Sequence, residues 1–201
     1  MDILIAIIVG YLLGSIPFAL VIGKVFYKKD IRNFGSGNLG GGNAGRVLGK
    51  KAGLAVMTLD VLKVTLAIFI ANRFGEGETV AVAAGLAAAI GHCFPIFAKF
   101  RGGKAVATMY GFLFGMATLG GYGLVIFLLP LVVFMIVLYL GKIIALASIC
   151  SAIVITGYVY FSTESAAMFG ALLVFTILII VRHRKNIGRM MRHEENKITW
   201  M

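Results

Sequence analysis

Apolar and polar residues alternate along this chain in long blocks, not position by position. Apolar runs occupy about 3–23, 53–72, 79–97, 104–118, 121–140, 143–161 and 166–182, and short segments between them carry nearly all the charge. A run of roughly 20 apolar residues is what an α-helix needs to cross the hydrocarbon core of a bilayer. The pattern predicts an all-α polytopic membrane helical bundle, seven transmembrane helices in a single integral membrane domain spanning 1–201. The fourth run, from Lys104, is short and contains glycine, so a re-entrant segment is an alternative there. The first run begins at Asp2 with no basic segment before it, and reads as a retained helix, not a cleaved leader.

Composition agrees. The 201 residues are 60% hydrophobic and 13% charged, against about half and about a quarter in soluble domains, which leaves no room for a water-soluble domain. A net charge of +11 would suit nucleic acid, but a basic binding face needs a soluble scaffold to carry it, so no nucleic-acid partner is expected. The placement of the charge is more informative. With residue 1 outside, every Lys and Arg except Lys63 and Arg73 falls in 24–52, 98–104, 141–142 or from Arg182 onward. Arg73 sits beside Glu76 and Glu78 on the other side, with Asp2 and Glu164. This asymmetry marks the cytoplasmic face. It predicts an odd number of crossings, amino terminus out and carboxyl terminus in, in the cell (inner) membrane.

Asp60 and Lys63 lie three residues apart in the second run and share a helical face. The primary reading is a buried pair that fixes packing, with substrate contact as the alternative. Cys93 and Cys150 lie in apolar segments without metal-ligand spacing and read as small buried thiols.

Three polar constellations fall on the basic face. The first runs from Gly35 to Arg46, with six glycines among its first eleven positions. Glycine lets backbone N–H groups converge on an anion. Ser36, Asn38 and Asn43 can add hydrogen bonds, and Arg46 can clamp a phosphate in bidentate fashion. The second runs from Gly91-His92-Cys93-Phe94-Pro95 to Gly102-Gly103-Lys104. Lys104 can act as a point-charge anion ligand, but Ala98 and Ala105 break the nucleotide P-loop pattern. His92 reads first as a hydrogen-bonded packing residue and second as a base. The third, Arg182-His183-Arg184-Lys185-Asn186-Ile187-Gly188-Arg189 followed by Glu194 and Glu195, reads first as an orientation signal and lipid-headgroup contact, which leaves Asn186 and Glu195 unaccounted for. Three anion-seeking clusters on one face imply one shared phosphate-handling site. No HEXXH occurs, no carboxylate pair has metal-binding spacing, and no His is followed by Asp five positions on. Neither a metal nor a cofactor is expected.

At these residues the chain resembles the bacterial membrane family of acyl-phosphate:glycerol-3-phosphate acyltransferases. Gly14-Ser15-Ile16-Pro17-Phe18, the GSGN loop with Asn43 and Arg46, Leu59-Asp60-Val61-Leu62-Lys63, the GH-x-FP…GGK stretch, Leu146-Ala147-Ser148 and the RHR-x-NI-x-R tail occur in the family's order. The resemblance runs from Gly14 to about Lys197. It departs at Gly41-Gly42, Ala105 and His193, where members commonly carry Ala-Thr, Gly and Gly. It implies a seven-span enzyme moving an acyl chain from acyl phosphate to glycerol 3-phosphate, as the first acylation of phospholipid synthesis. Ser36, Arg46, Lys104, Asn186 and Glu195 are then the expected catalytic set. Gly37, Asn38, Gly40, Asn43, His92, Gly103, Ser148 and His183 are the expected substrate-binding residues. Arg46, Lys104 and the glycine loop are assigned to acyl phosphate. Asn186, His183 and Ser148 are assigned to glycerol 3-phosphate, with Glu195 ordering the tail or meeting the free hydroxyl. The acyl chain is expected in an apolar groove open to membrane lipid. The rival reading is a transporter of a phosphorylated anion.

Overall fold

The computed structural model describes residues 2–75 and 77–198; Glu76, expected on the outer side, lies outside the described residues. These form ten α-helices: α1 (Asp2–Gly14), α2 (Phe18–Tyr27), α3 (Gly41–Leu48), α4 (Lys50–Phe74), α5 (Glu78–Cys93), α6 (Val106–Leu119), α7 (Val125–Gly141), α8 (Ile144–Ser162), α9 (Ala166–Arg182) and α10 (Arg184–Met191). Single 3-10 turns occur at Ile31–Asn33 and Ile96–Ala98.

Four segments are long and apolar enough to cross a membrane: Ile3–Tyr27, Lys50–Arg73, Glu78–Ala98 and Ile144–Ser162. A fifth is α9 taken with α10, which bends from it by 58°. Helices α6 and α7 are apolar but shorter, at 14 and 17 residues. The bundle is thus an all-helical membrane fold with four or five crossings by length alone.

The expected continuous helix over 3–23 is instead two helices reaching Tyr27. Pro17 has no N–H to donate, and its ring obstructs the preceding turn, so α1 stops at Gly14 and α2 restarts at Phe18. The Lys63 ammonium donates to the Ile16 carbonyl at 3.0 Å, which satisfies part of the backbone opened by the break. Gly10 and Gly14, four apart, seat α1 directly on α5. A Cβ there would lie 2.4 and 2.0 Å from the carbonyl oxygens of Ala84 and Ala88, a small-residue crossing of the kind membrane helices use.

The main core joins α4, α5, α6, α8 and α9, with Phe112 and Phe175 facing each other at 5.1 Å between ring centroids. Thr156 and Thr176 share a hydrogen bond of 2.8 Å between α8 and α9. A second cluster (Ala19, Leu20, Ile31, Ala44, Val56, Ala98) lies beneath the glycine-rich segment and ties it to α2 and α4. Exposed Leu128, Val132, Ile136, Tyr139 and Leu140 give α7 an apolar outer face.

Connections gather at opposite ends. At one, Glu78 accepts hydrogen bonds from the Tyr122 hydroxyl at 2.6 Å and from the Ser165 hydroxyl. At the other, the Ile198 N–H donates to the Lys142 carbonyl at 2.8 Å, and the tail meets the 102–104 turn.

Candidate active site

The glycine-rich segment is a built structure. Asp30 caps the 3-10 turn by accepting the Arg32 N–H at 3.1 Å. The guanidinium of Arg32, hydrogen-bonded to it at 2.5 Å, holds the Asp30 carboxyl well below the usual carboxylate range. Gly35 and Gly37 then take left-handed backbone (φ 60° and 67°) on either side of Ser36, a conformation glycine adopts at no steric cost. Asn43, in the first turn of α3, holds this bend. Its Oδ1 accepts the Ser36 N–H at 2.8 Å, and its Nδ2 donates to the carbonyls of Ile31 and Phe34 at 3.2 Å each. Asn38 turns back over Gly40, the residue that opens α3; a Cβ on Gly40 would lie 3.1 Å from the Asn38 amide nitrogen. One α3 turn beyond Asn43, Arg46 donates to the Ser36 hydroxyl at 3.3 Å.

Asn43, expected to bind substrate, is buried in this structure with its amide used by the bend. The segment is also not an open loop throughout, because α3 forms within it despite glycine's poor helix propensity. Apolar packing of Ala44 and Leu48 supplies what propensity lacks.

The 102–104 turn is fixed from both sides. The Gly103 N–H donates to the His92 carbonyl at 3.0 Å. Arg182, at the end of α9, donates to the Gly103 and Gly102 carbonyls at 2.9 and 2.8 Å, with its guanidinium 5.4 Å from the Phe94 ring centroid. Lys104 follows, two residues before α6 begins at Val106. Its ammonium reaches the Asn186 Oδ1 at 2.5 Å. The Asn186 amide donates to Glu195 at 2.7 Å, and the other Glu195 oxygen accepts from Arg189 at 2.8 Å. Lys104, Asn186, Glu195 and Arg189 therefore form one chain of contacts between the second and third constellations.

Electrostatics joins the first constellation to it. Burial pushes the Lys104 ammonium down to about 8; Glu195 opposes this, while Arg189, Arg46 and Arg182 add to it. A cation so placed, with other cations in range, lacks enough negative charge around it, which is the condition an incoming phosphate relieves. His183, where α9 gives way to α10, directs Nδ1 at the Ile179 carbonyl at 2.8 Å. That carbonyl can only accept, so Nδ1 carries the proton. Burial, then the nearby Lys104 charge, pushes the imidazole down to about 4.

Two other expected residues stand differently. The Ser148 hydroxyl donates to the Ile144 carbonyl one turn back in α8, at 2.8 Å, and the residue is buried. His92 lies behind the 102–104 turn, with Nδ1 3.1 Å from the Lys63 ammonium and 3.5 Å from Asp60. Lys63 and Asp60 are 2.7 Å apart and buried, as expected of a packing pair, and His92 joins them.

Arg182 is the residue whose role sequence reasoning missed. It counts there only as the first charge of a basic tail. Its partners, the Gly102 and Gly103 carbonyls and the Phe94 ring, lie about 80 residues or more away in the chain, so no local signal points to them. Ala105 and His193 have left-handed backbone, φ 62° and 57°, which accounts for glycine in other members and leaves the side chains here in a conformation L-residues rarely adopt. Among the described residues no three His, Cys, Asp or Glu side chains gather to hold a metal ion.

A helical membrane bundle with a desolvated lysine, arginines on α3 and α10 and a glycine bend at one end defines an integral membrane protein that handles phosphate. The family model for glycerol-3-phosphate acyltransferase matches residues 4–193, and the chain belongs to this family of acyltransferases. A glycerol-3-phosphate acyltransferase of Streptococcus pyogenes serotype M5 (strain Manfredo) is 42% identical over 214 aligned positions, covering 100% of this chain and 95% of that protein. The crystal structure of PlsY (YgiH), described as an integral membrane glycerol 3-phosphate acyltransferase, superposes in its glycerol 3-phosphate form with a TM-score of 0.90. It is 36% identical and covers 99% of this chain and 96% of that one. The lysophosphatidic acid form of PlsY gives a TM-score of 0.87 at 34% identity, covering 99% of this chain and 96% of that one.

Proposed function

We propose that this enzyme transfers the acyl group of acyl phosphate to glycerol 3-phosphate, giving 1-acylglycerol 3-phosphate and inorganic phosphate at the cytoplasmic face of the cell membrane. The observation that carries the reading is the convergence of Lys104, Arg46 and the Ser36 bend with the Asn186–Glu195–Arg189 chain at one end of the bundle. A donor and an acceptor that both bear phosphate repel each other, and this surplus of cations offsets the repulsion.

Seven crossings, amino terminus out and carboxyl terminus in, accommodate this site. The two short apolar helices α6 and α7 each then cross once, and the basic connections share one face.

In the reaction the glycerol hydroxyl oxygen forms a bond to the acyl carbon, and the bond from that carbon to the phosphate oxygen breaks. The leaving phosphate needs no further activation, so neither a cofactor nor a covalent enzyme intermediate is required. Arg46, Lys104 and the loop amides hold the donor's phosphate. Asn186 and His183 serve the acceptor, with Ser148 joining after a rotamer change. Orientation of two bound reactants is worth about 7–11 kcal/mol in favourable cases. The hydroxyl proton passes to a phosphate oxygen of the donor and leaves with the inorganic phosphate. A groove of about 550 Å³ between α1, α4 and α6, lined by Leu13, Leu62, Leu66, Phe69 and Leu119, offers the acyl chain an apolar path open to lipid.

The test is turnover by purified protein supplied with acyl phosphate and glycerol 3-phosphate, following phosphate release and lysophosphatidate. Acyl-CoA and acyl-carrier protein run in parallel should support no reaction. Activity with either of those and none with acyl phosphate would overturn the donor. Transport of a phosphorylated anion into vesicles without acyl transfer would favour the rival reading.

A further inference from the structure

Three ionisable side chains are buried together away from the phosphate-holding residues, with Lys63 also on the wall of the apolar groove. Asp60, Lys63 and His92 are each no more than 5% exposed. Lys63 stands 2.7 Å from one Asp60 oxygen and 3.1 Å from His92 Nδ1, and also donates to the Ile16 carbonyl at 3.0 Å. The second Asp60 oxygen has no hydrogen-bond partner among the described residues. Such a cluster inside an apolar bundle is costly, and well-packed apolar residues of the same volume are often as stabilising. What apolar residues cannot do is fix the direction of a ring.

The ring of His92 has a definite neighbour. A Cβ added to Gly103 would lie 1.9 Å from His92 Nε2 and 2.4 Å from its Cε1. The imidazole therefore lies against the Gly103 α-carbon, while the His92 carbonyl takes the Gly103 N–H. Gly103 has no positive φ, and the three atoms nearest the added Cβ all belong to the His92 ring. Lys104 is the next residue.

We propose that Asp60, Lys63 and His92 act as a positioning unit for Lys104: the ion pair orients the imidazole, and the imidazole sets the 102–104 turn from which the ammonium reaches substrate phosphate. None of the three touches the reacting atoms. Their effect falls on the affinity for a phosphate-bearing substrate more than on the chemical step. The inference rests on Lys104 being a phosphate ligand, as proposed above.

The experiment is a double-mutant cycle on the full-length protein in lipid, with KM for acyl phosphate and for glycerol 3-phosphate measured separately and kcat per folded enzyme. Gly103→Ala is expected to raise at least one KM by about 30-fold, since a misplacement of about 1 Å can cost on the order of 10²-fold. In a His92→Ala background, where the ring is gone, the same substitution should change that KM by less than about threefold, because contacting residues couple and independent ones do not. Equal fold-changes in the two backgrounds would overturn the contact. The charge-balanced variant Asp60→Asn/Lys63→Met tests the ion pair. It should reproduce the KM rise of His92→Ala, about tenfold, while the protein inserts and melts as the parent does. A parental KM there, or a fall in kcat alone, removes the pair from the unit. If His92→Ala does not accumulate, His92→Asn takes its place, being smaller but polar. Lys104→Ala serves as the control: unchanged KM for both substrates would end the underlying reading, whereas an inactive Lys104→Ala beside uncoupled His92 and Gly103 ends this inference alone.

Discussion

The ammonium of Lys104 and the side-chain oxygen of Asn186 meet at 2.5 Å across 82 residues of chain. The Asn186 amide in turn donates to Glu195, so Asn186 links the ammonium to a carboxylate whose charge also acts on Lys104 through space. Removing either member breaks the same line of contacts. Lys104→Ala and Asn186→Ala are each expected to lower kcat/KM by at least about 10²-fold, the range seen when a preorganised donor is lost. The double variant should be scarcely worse than the poorer single, since groups acting as a unit are strongly non-additive. Additive losses, in protein whose membrane insertion is intact, would mean that each residue acts on its own substrate without help from the contact between them.

The pH response follows from the same lysine. Its folded value is lowered to about 8 from 10.5, chiefly by burial, so between those values the unfolded chain binds more protons than the folded one. Fold stability should therefore rise with pH across that window. Substrate binding should move the other way, because the ammonium that holds phosphate is lost as pH rises through about 8. We expect kcat/KM to fall by about tenfold per pH unit on the alkaline side. In the substrate complex the bound anion stabilises the charge, so the kcat limb should lie higher. Lys104→Arg should abolish the alkaline limb whatever its residual rate, since guanidinium does not titrate there. A limb that survives in that variant belongs to another group.

Asn43 gives a prediction about the bend, not about charge. Three hydrogen bonds from one buried amide hold residues 31–36 in place. Asn43→Ala strands their backbone partners at roughly 1–3 kcal/mol for each group left unsatisfied. Asn43→Asp keeps the acceptor for Ser36 but loses both donors. Both variants should lose activity and gain protease sensitivity between Ile31 and Arg46, with Asp the less affected in the Ser36 half. Lost activity with parental protease resistance would instead put Asn43 on the substrate.

Much of the helical layout was legible because hydropathy is blocked out so coarsely. The run 166–182 coincides with α9, and 143–161 differs from α8 by a single residue at each end. The failures have definite causes. A hydropathy run is blind to a lone proline, so the break at Pro17 disappeared inside the first block. Glycine's low helix propensity concealed α3, which apolar packing against α2 and α4 stabilises. Residue type shows that Asn43, Ser148 and His92 can hydrogen-bond, but not with what. In the fold two of them serve backbone and the third serves a buried ion pair. That Ser36 and Arg46 belong with Lys104, Asn186 and Glu195 is an expectation from motif order and resemblance, since no local pattern relates residues separated by 82 positions.

Arg182 carries the last prediction. Its two nitrogens take the adjacent carbonyls of Gly102 and Gly103 at 2.8 and 2.9 Å, a fork geometry that a single ammonium does not reproduce. Arg182→Lys retains the charge beside Lys104 and the orientation signal of the tail, yet leaves one buried carbonyl without its donor. If Arg182 mattered only as a cytoplasmic positive charge, lysine would restore full function. If it holds the turn, Arg182→Lys should raise KM by about tenfold with insertion unchanged, a loss of the size expected for a charged hydrogen bond of roughly 1.5–3 kcal/mol. Arg182→Gln, which is neutral and can still donate to a carbonyl, should then be no worse than lysine. A ranking in which lysine equals the parent and glutamine is inactive would assign Arg182 to charge alone.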